Sequence, residues 1–222
     1  MSGPEIKDEM KRRYNIIISL NQAKVARRRV FDKLQAECDE QFARLRDYEL
    51  QLIETNPETT IEINTTTTAN GSEAFHQMYI CFEALKSSWK KNCRPIIGLD
   101  GPFLKHSMKG MMLTVVGTDP NNQIFPIAWA VVDCENNPNW EWFVRKLKED
   151  LDLGSDENLT LISNMHRGLI HGVATELPMA EHRACARHIY SNLKKSHKAD
   201  MLKPLFWRVA SSYNEADYKE NL

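Results

Sequence analysis

The chain has no apolar run approaching the ~18 residues that a membrane-crossing helix needs, and its longest apolar segments are broken by glycine, asparagine or charge. Cysteine is sparse. The five residues Cys38, Cys81, Cys93, Cys134 and Cys185 are odd in number and irregularly spaced, which excludes a disulfide framework and fits a reducing compartment. No charge dominates: 29 basic against 30 acidic residues give a net charge of -1, which excludes a uniformly basic nucleic-acid binder but not a local basic face. The opening stretch MSGPEIKDEMKRR is polar and carries acids, unlike a signal or transit peptide. No P-loop, dinucleotide fingerprint or complete zinc finger is present. What is there is ordinary for a folded chain: 222 residues, 42% hydrophobic and 27% charged, enough for one good-sized domain and a smaller neighbour.

The first 55 residues read as a small helical unit. Residues 6–14 form a short helix, residues 15–19 an extended connector, and Ser19 with Gln22 fits a capping box. Ala23, Ala26, Val30 and Leu34 then mark a buried stripe, and Cys38, Phe42, Leu45 and Leu52 a similar one on a further helix. The middle helix carries Lys24, Arg27, Arg28, Arg29 and Lys33. Two readings stay open: a surface against a phosphate backbone, or a solvated face paired with Glu37, Asp39 and Glu40. Residues 56–73 are Thr-rich and read as a linker, with a ragged edge strand around residues 61–63 as the other reading; the domain boundary is placed here.

From residue 74 the pattern is mixed α/β. Residues 75–89 suit a helix, a strand followed by a helix, or both. Residues 94–99 form a buried strand ending at Asp100-Gly101, and residues 111–117 and 124–132 form a hairpin around Asp119-Pro120-Asn121-Asn122. Asn137-Pro138 opens a helix, residues 159–163 form a fourth strand, and residues 167–176 a helix. The stretch from about residue 184 to 209 is helical and basic, with Arg183, Arg187, Lys194, Lys195, Lys198, Lys203 and Arg208 against Asp200. Three antiparallel strands, a crossover helix and a further strand make the opening of a ribonuclease-H-like mixed sheet. Asp100, at the end of the first strand of that sheet, is the candidate for its first metal-binding acid.

Four stretches carry a resemblance: CRPIIGLDGPFLK (residues 93–105), VGTDPNNQIFPIAWAVVDCEN (116–136), NWEWFVRKLKEDL (139–151) and AEHRACARHIYSNLKK (180–195). It continues upstream through LRDYELQLIETNPETT and MYICFEALK. The chain resembles the transposases of plant Mutator-like elements, the MULE family, of MuDR type. The resemblance implies a ribonuclease-H-like domain over residues 74–222, an Asp-Asp-Glu triad, Mg²⁺ or Mn²⁺, DNA as partner, other transposase-like chains as further partners, no membrane, and the nucleus. Asp100 matches the first acid. Asn164 stands where the family has its second, and an amide brings no negative charge to a hard dication. The family's Glu is expected beyond Leu222; Glu215 and Glu220 lie in a different context. Cys185 and His188 match the family's C-x-x-H motif. Zinc is not expected there, because no partner pair beyond His182 and His197 is visible, and a packed cysteine with a hydrogen-bonded histidine is the reading favoured. Arg183, Arg187, Lys194, Lys195 and Lys198, with Arg27, Arg28 and Arg29, are candidates for DNA contact. His166 reads as polar surface, Asp133 and Glu135 as turn acids, and Trp129, Trp140 and Trp142 as core and groove aromatics. These residues point to a degenerate, truncated transposase that binds DNA without joining strands. The alternatives are a regulatory protein repurposed for protein contacts and a metal-dependent nuclease completed by another chain.

Overall fold

The structure, a computed structural model, describes residues 1–104, 110–154, 156–197, 199 and 201–222. Lys105, Lys198 and Asp200 therefore lie outside the described residues. The chain divides into two compact units, Met1–Gln51 and Leu52–Leu222.

The first unit is helical. Helix α1 spans Gly3–Tyr14 and opens on a capping box between Ser2 and Glu5. After the connector, α2 runs Leu20–Ala43, and α3 spans Leu45–Thr55, continuing past the division. The Ser19 box forms as expected: Ser19 N–H donates to Gln22 Oε1 at 2.8 Å, and Gln22 N–H donates to Ser19 Oγ at 3.1 Å. Helix α2 continues without interruption through residues 35–43, so Cys38 and Phe42 belong to it rather than to a further helix. The expected buried stripe is a correction. Ala23 is buried, whereas Val30 and Leu34 are exposed, because α1 meets α2 near Leu20 and Lys24 and leaves the following turns uncovered. Removing the box by Ser19→Ala should speed amide exchange in the first turn of α2 about fivefold, the equivalent of ~1 kcal/mol. Unchanged exchange there would mean that the turn is held by something other than its cap.

Among the described residues, the second unit is built on an eight-stranded mixed sheet. Strand β1 (Thr60–Thr67) pairs antiparallel with β2 (Glu73–Cys81) and forms the sheet's edge. The linker assigned to residues 56–73 is thereby corrected in favour of the edge-strand reading, with the strand running beyond residues 61–63. β-Branched threonines suit an extended edge, and Ile63 alternates inward to burial. Helix α4 (Glu83–Asn92) follows, then β3 (Ile96–Asp100), the short β4 (Phe103–Leu104), β5 (Gly110–Thr118) and β6 (Ile124–Val132). Helix α5 (Asn137–Leu151) leads to β7 (Thr160–Ser163), and α6 (Arg167–Glu176) to β8 (Glu181–Ala184). Helices α7 (Ala186–Ser196), α8 (Leu202–Ala210) and α9 (Glu215–Asn221) complete the unit.

The strand order is β1-β2-β6-β5-β3-β7-β8, with β4 paired to β5. β6, β5 and β3 are antiparallel neighbours, whereas β3, β7 and β8 run parallel. The order β6-β5-β3-β7-β8 is that of a ribonuclease-H-like sheet. Strand β5 buries every second residue, placing Met111, Leu113 and Val115 on the face shared with Ile97 and Leu99. The core is completed by Trp140, Phe143, Val144 and Leu147 of α5 and by Leu169 and Val173 of α6. One buried acid ties four elements together. Asp150 of α5 accepts from Thr60 Oγ1 of β1 at 2.5 Å and Tyr79 Oη of β2 at 2.8 Å, and pairs with Lys86 Nζ of α4 at 3.3 Å. Burial first, then the neighbouring Cys81 and the Asp150 charge, raise the Tyr79 pKa and keep the phenol protonated.

Candidate functional site

The site is at the carboxyl ends of the parallel strands, where open α/β sheets place their ligands. Leu99 of β3 lies beside Ser163 of β7 in register, so the next residue on each, Asp100 and Asn164, project side by side. Asp100 Oδ1 accepts from the Gly101 N–H at 2.9 Å, and its side chain is about half exposed, at 51%. Asn164 Nδ2 points at that same oxygen from 3.5 Å. The amide is oriented by its other end, where Asn164 Oδ1 accepts from the His166 N–H at 2.9 Å.

A third group enters from α7. Strand β8 runs parallel to β7, and at its end the Cys185 N–H donates to Ser163 O at 2.7 Å, setting the start of the helix. Three residues on, His188 Nε2 stands 3.8 Å from Asp100 Oδ1, while its buried Nδ1 has no hydrogen-bond partner among the described residues. The sequence reading missed this placement. It took Cys185 as packed and His188 as hydrogen-bonded, whereas His188 faces Asp100. The lost signal is β8 itself, Glu-His-Arg-Ala, which is too short and polar to show strand periodicity.

The surrounding polar groups are committed to holding loops. His166 caps α6, its Nδ1 accepting from the Gly168 N–H at 3.2 Å and standing 3.3 Å from Glu135 Oε1. Glu135 Oε1 also accepts from Trp140 Nε1 at 3.1 Å. Burial pushes the Asp133 pKa up, but hydrogen bonds from Asn139 and the Cys134 backbone outweigh it and hold the carboxyl below its usual range. His182, on β8, meets Ser163 Oγ at 2.7 Å, and that hydroxyl donates to Asn164 O at 2.8 Å. Burial lowers the His182 pKa, so a neutral imidazole with its proton on Nε2 satisfies both contacts.

The candidate basic residues are distributed as follows. Arg187, Lys194 and Lys195 are exposed on α7, and at helical spacing Lys195 lies two turns along the same line as His188. Arg183 pairs with Glu181 at 2.5 Å. On α2, Arg28 and Lys33 stand 3.9 and 3.8 Å from Asp32 and Glu37, and Arg27 lies 4.9 Å above the Phe31 ring. Lys198 lies outside the described residues.

Residues 96–192 match the MULE transposase domain. The match to the MULE domain begins at β3 and ends within α7, so it contains Asp100, Asn164, Cys185 and His188. No curated protein matches the chain by sequence. Among solved structures, the Mos1 transposase catalytic domain, determined with Raltegravir and Mn, is 12% identical. That alignment covers 63% of this chain and 82% of the other, with a TM-score of 0.29. The strand order, rather than that likeness, defines the fold here.

A pair of hard dications needs several anionic oxygens. The donors at this site are one carboxylate, an imidazole and an amide that turns its N–H₂ toward the carboxylate. That set does not fit two metals. Among the described residues, no cluster of three or more His, Cys, Asp and Glu side chains could hold a metal ion.

Proposed function

We propose that this chain is a degenerate MULE transposase of MuDR type, from a plant and working in the nucleus, that retains DNA affinity without two-metal cleavage or strand transfer. The observation that carries this reading is the juxtaposition of Asp100 and Asn164 at the ends of β3 and β7. The chain has the sheet that aligns two metal-binding acids, yet one of them is replaced by a neutral amide. DNA affinity is assigned to Arg187, Lys194 and Lys195, whose exposed positions on α7 continue from the His188 end of the site, with Arg183, Lys198 and the outward arginines of α2 as further contacts.

Retention on duplex DNA should fall steeply with salt, as counterion release requires. Lys194→Ala with Lys195→Ala should weaken retention alike on all sequences and reduce the slope of log affinity against log salt by about 2. Plasmid incubated with the chain and Mg²⁺ or Mn²⁺ should stay intact. Nicking abolished by Asp100→Ala would overturn the loss of catalysis. Absence of DNA retention even at low salt would instead favour a repurposed protein-contact role.

A further inference from the structure

Helix α2 is 24 residues long, about 36 Å, yet Ala23 is its buried residue and every position from 24 to 37 is exposed. Those four turns are not polar all round. At 100° per residue, Ala26, Val30, Phe31 and Leu34 fall along one side, with Val30, Phe31 and Leu34 exposed by 58%, 47% and 43%. Arg28, Arg29 and Asp32 face away from that side. A helix whose apolar stripe is left open within its own unit is marginal in water, so the stripe calls for a cover.

The charge pattern identifies the cover. Residues 24–33 carry Lys24, Arg27, Arg28, Arg29 and Lys33 against Asp32 alone, whereas residues 34–43 carry Glu37, Asp39 and Glu40 and no cation. DNA fits poorly along such a helix, because half of it would repel phosphate and its stripe is apolar. A second copy of this chain fits well, provided that it runs antiparallel. We infer that α2 is the homodimer interface of this protein, two copies packing antiparallel about a two-fold axis level with Asp32. In that register Val30 of each copy lies against Leu34 of the other. Arg27 of each faces Glu37 of the other, and Lys24 faces Glu40. A parallel pair would set the five cations of one copy against the same five of the second. The Lys33–Glu37 contact within the helix, at 3.8 Å between exposed side chains, is worth too little to withdraw Glu37 from the interface. Arg28 and Arg29 stay on the outside, so of the three α2 arginines offered to DNA the interface takes Arg27 alone, and it does not rest on the DNA reading.

Sedimentation of the full chain over a range of concentrations tests this. A monomer–dimer equilibrium is expected, abolished by Val30→Glu or Leu34→Glu with helix content unchanged, since both side chains are exposed. Arg27→Glu and Glu37→Arg should each weaken dimerisation by at least about tenfold. An equimolar mixture of the two should recover it, because only the mixed antiparallel dimer matches every opposed charge. A chain that stays monomeric at every concentration would overturn the proposal. So would a dimer indifferent to Val30→Glu, or single charge reversals without effect.

Discussion

Replacing Gly172 by Val is expected to lower the stability of the Leu52–Leu222 unit by about 3 kcal/mol, toward the upper end of what overpacking costs. Gly168 and Gly172 lie one turn apart on α6, on the side that meets α5. A Cβ at Gly172 would fall 2.9 Å from the Trp140 carbonyl carbon and 3.0 Å from the Glu141 nitrogen. At Gly168 it would fall 2.8 and 2.9 Å from the Asn136 carbonyl carbon and oxygen. These neighbours are backbone, so no rotamer change relieves the contact and α6 must move off α5. The helix propensity gained on leaving glycine, about 1 kcal/mol for Ala and less for the β-branched Val, opposes this and is smaller. At the scale of a unit this size, 3 kcal/mol corresponds to roughly 6–12 °C in Tm. Gly154→Ala is the control, because no described residue lies within 4 Å of the added Cβ, and it should change stability by no more than ~0.5 kcal/mol. If Gly172→Val melted with the parent chain, the close approach of α5 and α6 would be wrong. The effect also reaches the site, since the turn from β7 into α6 carries Asn164 and His166.

The same contrast between local pattern and tertiary placement explains what could be read from sequence. Strands β3, β5 and β6 were legible because each is an apolar run bounded by turn residues. Asp100 could be placed at a strand end for that reason. The hairpin at residues 119–122 was legible because Asp119 Oδ1 accepts from the Asn121 and Gln123 N–H groups, which is local turn chemistry. Helix α5 was marked by Asn137-Pro138 at its start, and the structure adds Asn136 as its cap. Strand β1 was harder, because threonine suits both an edge strand and a polar linker. Strand β8 gave no pattern at all: it is three polar residues and an alanine held by pairing with β7, and without it the approach of His188 to Asp100 has no precursor in the sequence. The stripe on α2 shows the opposite failure. Its periodicity correctly marked a helix, but periodicity states which side is apolar and not whether anything in the same unit covers it.

Placing an acid beside Asp100 by Asn164→Asp should convert a chain whose melting is indifferent to Mn²⁺ into one that Mn²⁺ stabilises. The substitution keeps the turn, because an aspartate oxygen can accept the His166 N–H just as Asn164 Oδ1 does at 2.9 Å. What changes is the group facing Asp100. A donor at 3.5 Å from Asp100 Oδ1 becomes a second carboxylate oxygen at a similar distance. Two carboxylates that close disfavour each other's ionisation, so the metal-free variant should be less stable than the parent chain near neutral pH and should recover as pH falls and one carboxyl takes up a proton. A divalent cation reverses the sign by replacing that repulsion with two attractions. Affinity for Mn²⁺ should then rise by at least about tenfold, the equivalent of ~1.4 kcal/mol. Titration calorimetry and melting curves with and without Mn²⁺, on both forms and on Asp100→Ala with Asn164→Asp, separate the contributions. The double variant should lose the gain, since it returns the pair to a single carboxylate. Equal Mn²⁺ affinity in the parent chain and Asn164→Asp would show that residue 164 does not face a metal position, and the reading of Asn164 as a replaced acid would fall with it.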